Sequence, residues 1–429
     1  MLFASIGQAA IAAPALSLDD CVKLAAERQP AIAAARAGVA GAQEAVSEAR
    51  APYYPQVDLS AGYHRWQRHA FLPSGLALPG HSIPDLIGPL DDWNGGLGSR
   101  WMVYDFGVRR AGLAAARARY AGAQADARAI EADVRLGVES AFFGLAAARD
   151  VEKVAEKNLE RTETHRKLAI ARRDAGAVPA ADVLRLDAEL ANARLDLISA
   201  QSRVRIASGQ LNTAMGRPAD VPVVIAPPSS LEPPPGRAEL EEAVRRALAD
   251  RPEIASAAQR ADAARAAVGG ARADRGAKLH ADASYGWRDT AFLPSTPEWQ
   301  AGLAVDLPIF DGGSRAHHVA RTKADLARQE AALAQTRLEV RNEVWTASSE
   351  LERTWASIAA NEASVKASEE SLRVVRERYE RGAAVITDLL DTQTALARAE
   401  SSLAAARWNY CAARAAFERA VGASGGLAP

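Results

Sequence analysis

SRAHHVARTKADLARQEAALAQTRLEVRNEVWTASSELERTWASIAANEASVKASEESLRVVRERYER, residues 314–381, contains neither proline nor glycine. As one helix, these about 68 residues would run roughly 100 Å at about 1.5 Å each, too long for an ordinary globular domain. Apolar residues fall every seven at Val319, Leu326, Leu333 and Val340, step by four to Val344, and resume at Leu351, Ile358, Val365, Leu372 and Tyr379. That is a coiled-coil seam with a stutter, which locally relaxes the supercoil. Beyond Gly382 a second run keeps the spacing: Leu389, Leu396, Leu403, Tyr410 and Phe417. A short loop between long helices makes an antiparallel hairpin.

The hairpin is written twice. Val108 to Ala175 also lacks proline, with a less pure seam at Leu113, Tyr120, Ala127 and Val134, then Val138 and Leu145. After Gly176 its return arm reads Val183, Leu190, Leu197, Val204 and Leu211. The duplication covers the rest of the chain too. Leu18-Asp19-Asp20-Cys21-Val22 and Arg28-Gln29-Pro30 recur as Leu240-Glu241-Glu242-Ala243-Val244 and Asp250-Arg251-Pro252. Tyr63 recurs as Tyr285, Trp93 to Leu97 as Trp299 to Leu303, and Val103-Tyr104-Asp105-Phe106-Gly107 as Ile309-Phe310-Asp311-Gly312-Gly313. Gly75 to Asp92, rich in Pro and Gly, is an insertion in the first copy alone and reads as a loop tip. Pro218 to Pro235 reads as an extended linker.

Each return arm, of about 37 residues, falls roughly 45 Å short of its partner. Pro30 to Ala51 and its copy Pro252 to Ala273 supply roughly 33 Å each, and stacked end to end with the return arms they nearly complete the match.

Strands fill the remaining gaps. Val57, Leu59, Ala61 and Tyr63 alternate with polar or small residues, as do Leu279, Ala281, Ala283, Tyr285 and Trp287. Trp93, Leu97, Trp101 and Val103, and Trp299, Ala301, Leu303, Val305 and Leu307, share the period of two. Apolar-out, polar-in alternation with tryptophans near strand ends suits a membrane barrel, and a soluble sheet packed on one face alternates as well. Four strands cannot close a barrel, so the unit must oligomerise; two chains would give eight strands and three would give twelve.

The expected organisation is a mixed α and β membrane protein. Residues 1–16 read as the remnant of a signal peptide. A first repeat spans 17–217, with strands about 56–69 and 93–103, a long helix about 108–175 and a return helix about 180–216. A Pro-rich linker spans 218–238. A second repeat spans 239–422, with strands about 278–292 and 298–307, a long helix about 314–381 and a return helix about 385–421. Residues 423–429 form a tail.

Bulk composition narrows the function. Lys plus Arg (52) nearly balances Asp plus Glu (53), which leaves no broad basic surface and makes nucleic acid an unexpected partner. No run of about 20 apolar residues exists beyond the opening segment, so any membrane contact must use strands. Cys21 and Cys411 read as independent small apolar residues. His317-His318 is no metal pair, because adjacent helical residues point about 100° apart. No cofactor, metal site or catalytic constellation is expected, and the chain is not read as an enzyme. A soluble coiled-coil scaffold is the rival reading, but it leaves four amphipathic strands and the unequal hairpin arms unexplained.

Tyr379-x-x-Gly382, Asp388-Leu389-Leu390-Asp391-x-Gln393, Leu396, Ala399, Leu403, Tyr410 and Gly422 form the most specific segment, with Gly176, Asp182-Val183-Leu184, Leu190, Ala193, Leu197 and Gly216 as its weaker twin. On these residues the chain resembles the TolC family of outer-membrane efflux proteins from Leu18 to Gly422. The resemblance implies a Gram-negative homotrimer, with a twelve-stranded β-barrel in outer-membrane lipid and coiled-coil α-helical hairpins forming a periplasmic α-barrel. It implies a passive duct of a tripartite efflux or type I secretion system, opened at its periplasmic tip by an adaptor protein joined to an inner-membrane pump. By position, Asp388 and Asp391 correspond to the aperture acids, and Asp182 and Tyr379 to the aperture latch. Gly176, Ala177, Val178, Gly382, Ala383 and Ala384 correspond to the adaptor-docking tips. Some relatives carry a basic latch residue where this chain has Ala384, and Arg381 is a candidate to replace it. Asp182 and Asp388 also suit the first turn of a helix, where an acid stabilises exposed N–H groups.

Overall fold

The computed structural model describes residues 15–69, 86–228, 231–234, 237–292 and 297–422. Residues 1–14 of the expected leader at 1–16, most of the insertion tip and the tail at 423–429 lie outside them. The elements run α1 (Leu18–Arg28), α2 (Pro30–Arg50), β1 (Gln56–His69), β2 (Leu86–Tyr104), α3 (Val108–Asp174), α4 (Ala180–Ala214), α5 (Arg237–Asp250), α6 (Pro252–Ala273), β3 (Lys278–Asp289), β4 (Glu298–Asp306), α7 (Ser314–Glu380) and α8 (Ile386–Val421). Among the described residues no helix is long and apolar enough to cross a membrane. Contacts divide the chain into two units, one of residues 1–38, 124–256 and 334–429, the other of 39–123 and 257–333.

The first unit is helical. α3 and α7 have 67 residues each, and the seam positions of α7 are buried or half-buried throughout, with Val344 at 0% exposure beside the stutter. Its main core gathers Cys21 of α1, Phe142 and Leu145 of α3, Leu211 of α4, Ile225 of the linker and Cys411 of α8. Both thiols are free and buried, and burial above all pushes each up to about 11. The linker is pinned rather than loose. Leu16 and Ile225 form a parallel bridge, Arg149 donates to the Val223 carbonyl at 2.8 Å, and buried Asn212 donates to that of Val221 at 2.6 Å.

Two repeated X-Pro steps join the short helices to the return arms. Pro30 and Pro252 occupy the first position of α2 and α6, where a missing N–H costs nothing. The residue before each proline reaches the end of a return arm. Gln29 donates to the carbonyls of Thr213 (3.3 Å) and Ala214 (3.0 Å), and Arg251 to that of Ala420 (3.4 Å). The end of α4 thus abuts the start of α2, and that of α8 the start of α6. The approach needs glycine, since a Cβ on Gly216 would lie 2.6 Å from the Arg28 carbonyl oxygen.

The second unit holds a four-stranded antiparallel sheet in the order β1-β2-β3-β4. Its register sorts the faces. Leu59 opposes Leu97, Tyr63 opposes Trp93, Leu97 opposes Tyr285, and Tyr285 opposes Trp299. The alternating apolar residues of the regular ladder therefore share one face, where Leu59, Trp299 and Leu303 stand 80%, 75% and 72% exposed. The other face carries Asp58, His64, Asp92, Arg100, Asp282 and Arg288, with Arg288 donating to Asp92 at 2.9 Å. At the strand exit, the Asp105 carboxylate accepts from the backbone of Gly107 (3.1 Å) and Arg109 (2.9 Å), which starts α3. Its twin Asp311 does the same for Gly313 (3.0 Å) and Arg315 (3.1 Å) before α7.

Several expectations need correction. β2 begins at Leu86, not near Trp93, because the second half of the insertion pairs with the end of β1, Trp66 against Leu90 and His69 against Leu86. Gly88 and Pro89 hid this strand, and a bulge there takes them out of the ladder. β3 stops at Asp289. The repeated motifs at Leu18 and Leu240, to which the sequence reading assigned no element, lie in helices of their own, α1 and α5.

The Asp250-Arg251-Pro252-Glu253 motif builds a buried ionic cluster. Arg251 and Arg419 have side chains 4% and 7% exposed; Arg251 grips Glu253 through two 3.0 Å bonds and pairs with Glu343, and Arg419 pairs with Asp133 at 2.7 Å and with Glu253. Burial alone would raise the Glu253 carboxyl, but the bonds from Arg251 and Arg419 outweigh it and hold its pKa at about 2. A carboxyl depressed on folding stabilises above its ordinary pKa of about 4.5 and loses that contribution as pH falls towards 2. Glu253→Gln is therefore expected to cost about 2–3 kcal/mol at pH 7. Its thermal midpoint, followed by circular dichroism in detergent, should fall less than that of the parent between pH 5 and pH 3. Equal slopes would contradict this account.

Candidate functional site at the helical turns

The two hairpins turn in the same way. α3 ends with Gly176 N–H bonded to the Arg173 carbonyl and Ala177 N–H to that of Arg172, both at 2.8 Å; α7 ends with Gly382 bonded to Tyr379 (3.0 Å) and Ala383 to Arg378 (2.8 Å). Gly176 and Gly382 have φ of 74° and 77°, the left-handed conformation that closes a helix and favours glycine. Pro179 and Val385 then extend the chain into α4 and α8 without giving a side-chain cap. Asp182 and Asp388 hold equivalent places in the uncapped first turns, where negative charge faces the exposed N–H groups.

Beneath the turns, Ala169 of α3, Val183 and Leu186 of α4, Tyr379 of α7, and Ile386 and Leu389 of α8 form one buried apolar cluster. This is why the return arms begin with apolar residues at these spacings: they pack the two hairpins together. Ala384 joins the edge of the same cluster. Gly176, Ala177, Gly382 and Ala383 are exposed, and Val178 is half-buried. Asp388 and Asp391 are both exposed, three residues and so just under one helical turn apart on α8.

Tyr379 is 3% exposed, and its hydroxyl has no hydrogen-bond partner among the described residues. Burial raises its pKa, the nearby Asp182 charge adds to this, and Arg172 opposes it. Asp182 and Tyr379 are thus neighbours within one chain without a hydrogen bond between them. Sequence reasoning missed Arg172. Its guanidinium lies over the Tyr379 ring, 5.0 Å from the centroid, and donates to the Tyr379 carbonyl, tying the end of α3 to that of α7. Arg381, the sequence candidate, points elsewhere: its side chain is 78% exposed and, among the described residues, reaches Glu377 alone, at 3.9 Å. From sequence Arg172 looked like any basic residue in a last helical turn.

Further along, α3 and α8 are joined by polar contacts. Buried Gln393 donates to Thr162 Oγ1 (2.6 Å) and Asn158 Oδ1 (3.0 Å), and Arg161 holds Glu400 through bonds of 2.9 and 2.7 Å. Among the described residues no group of three His, Cys, Asp or Glu is placed to hold a metal ion.

The profile of the outer membrane efflux protein family matches residues 21–217 and 243–423. Protein CyaE of Bordetella pertussis is 31% identical over 389 residues, 88% of this chain and 78% of that protein. The pyoverdine export outer membrane protein OpmQ of Pseudomonas aeruginosa is 27% identical over 418 residues, 94% of this chain and 85% of that protein. Among solved structures, the outer-membrane channel OprN superposes with a TM-score of 0.81 at 24% identity, covering 94% of this chain and 89% of that one. VceC from Vibrio cholerae superposes at 0.79 and 20% identity, covering 94% and 96%. With the profile spanning both repeats, and with this sheet and these paired helices matching that fold, the chain belongs to the outer membrane efflux protein family.

Proposed function

We propose that three copies of this chain form the passive exit duct of a tripartite efflux or type I secretion system, opened at the turns by a periplasmic adaptor that an inner-membrane pump engages. The family is one of transport ducts in the outer membrane rather than of enzymes. The observation that carries the reading is the sheet, with one face apolar and exposed, the other polar, and its outer edges on β1 and β4 unpaired among the described residues. A scaffold in water would bury that apolar face; a lipid-facing wall exposes it.

The turns supply the gate. Three copies of Asp388 and Asp391 around one axis would attract cations and repel anions. Both are exposed and free of the apolar cluster, which supports their role as aperture acids. Tyr379 and Asp182 are the latch, and Arg172 takes the place of the basic residue missing at Ala384, because it is the cation in contact with Tyr379. The exposed small residues Gly176, Ala177, Gly382 and Ala383, with Val178 and Ala384 beside them, give an adaptor a surface it can approach closely.

Three measurements test this. Leu303→Lys, on the apolar face, should cost about 2–4 kcal/mol in a bilayer and reduce assembly into outer membranes, whereas Ala304→Lys on the opposite face should assemble normally; equal assembly would refute the lipid-facing wall. Asp388→Ala with Asp391→Ala should raise single-channel conductance in a planar bilayer and weaken block by divalent cations, and unchanged conductance would count against the aperture assignment. Arg172→Ala removes a contact worth about 0.5–1 kcal/mol per chain, so three copies should shift the closed–open balance by roughly tenfold or more. Arg172→Lys should recover part of the loss, and an unaltered open fraction in Arg172→Ala would remove Arg172 from the latch.

A further inference from the structure

The exposed face of α8 carries more than the two acids near its start. Leu389, Gln393, Leu396 and Ala399 are buried, and Asp388, Asp391, Ala395, Arg398 and Ser402 are exposed. Steps of three and four residues place the exposed set on one stripe of the helix. Arg398 stands two turns past Asp391, about 10 Å along the axis at about 1.5 Å per residue. There α3, α4 and α8 line one groove, with Asn158 of α3, Glu189, Asp196 and Arg203 of α4, and Arg398 and Ser402 of α8 on its walls. The charges on this side differ from those of α7, where Arg353 pairs with Glu350 (2.5 Å), Arg373 with Glu370 (2.6 Å) and Arg376 with Glu380 (2.9 Å). Asp388, Asp391 and Arg398, and Glu189, Asp196 and Arg203 of α4, have no ion pair among the described residues.

On the trimeric duct reading above, with Asp388 and Asp391 at the aperture, we infer that Arg398 is a selectivity residue of the lumen. It is the station that receives the anionic groups of a solute once they have passed the acids. A paired surface charge shows little field, whereas an unpaired one in a water-filled tube with low-dielectric walls acts at full strength. The guanidinium suits carboxylate and phosphate groups, which it can hold through two parallel bonds. At about 0.1 M salt the Debye length is about 10 Å, so Arg398 and Asp391 stand about one screening length apart and act as separate sites instead of cancelling. Glu189 and Asp196 draw cationic groups to the same groove, so its walls suit a solute that carries both signs. Without Arg398 the α8 stripe is acidic alone, and the lumen turns toward cations. The charge belongs to one copy of the repeat: sixteen residues past Gly382 stands Arg398, and sixteen past Gly176 stands Asn192. A trimer therefore carries three such cations, not six.

The full chain in a planar bilayer under a KCl gradient gives the test, because the reversal potential reports the K⁺ to Cl⁻ permeability ratio. Arg398 is exposed and unpaired, so its substitution leaves the fold intact. At about 0.1 M salt Arg398→Ala should raise the ratio about twofold or more; at about 1 M, where the Debye length is about 3 Å, the difference should vanish. Arg398→Lys, which keeps the charge, should hold the parent ratio. With Arg398→Cys, a sulfonate-bearing thiol reagent in the bath should change the single-channel current; the natural chain serves as control, because its Cys21 and Cys411 are buried. An unchanged ratio in Arg398→Ala, an equal change in Arg398→Lys, or an Arg398→Cys channel blind to the reagent overturns the role of Arg398. The aperture reading then stands if Asp388→Ala with Asp391→Ala still alters conductance. If neither that double variant nor Arg398→Ala alters the channel, the α8 stripe does not face the lumen, and the aperture reading falls with the inference.

Discussion

Hydrocarbon offers no partner for a backbone N–H or C=O, so a sheet placed in a bilayer cannot keep a free edge. That constraint governs this chain. Its sheet has four strands, all hydrogen-bonded to their neighbours except along the outer edges of β1 and β4. One face is apolar and exposed, and the glycines of the sheet allow close approach; Gly96 and Gly286 face each other with no room for a Cβ on either. Such a sheet has no core of its own to bury. On the proposed reading it becomes stable in lipid once copies of the chain close it, with the apolar face outward.

The helical unit solves a different problem, the mismatch between long outward arms and short return arms. α2 and α6 supply most of the difference, and each joint is built from a proline that starts a helix, a polar side chain that reaches the last carbonyls of the return arm, and a glycine at its end. The second joint adds the Arg251–Glu253–Arg419 cluster. Removing one partner from such a cluster leaves a buried charge uncompensated, which is strongly destabilising. The first joint, with Gln29, uses neutral bonds to the same end.

Much of this was legible in the sequence because periodicity reports burial directly. The stutter at Val340–Val344 shows up as two of the most buried positions of α7, and alternation in β1, β3 and β4 became a single apolar face. What escaped lies where local signals conflict with pairing. The strand from Leu86 to Asp92 holds Gly88 and Pro89, which read as loop until β1 supplies the partner ladder. Arg172 escaped because its role depends on a contact between residues 207 positions apart, which no local window contains. The proposed role of Asp388 and Asp391 rests on the family pattern; by itself Asp388 looks like an ordinary helix-start acid.

A gate must be held weakly enough to be opened by the binding of another protein. On the proposed reading the turns meet this requirement with two kinds of contact, both made within one chain. The apolar cluster of Val183, Leu186, Ile386 and Leu389 holds the two hairpins of one chain to each other. Around it the polar contacts are few: a cation over a ring, one bond to a helix-end carbonyl, and a tyrosine hydroxyl that has no partner among the described residues. A buried hydroxyl without a hydrogen bond costs about 1–3 kcal/mol, so any rearrangement that gives Tyr379 a partner recovers that energy. On the proposed reading each subunit's tip is firm in its apolar cluster, and the Arg172 and Tyr379 contacts around it, all within one chain, are the ones a rearrangement can exchange.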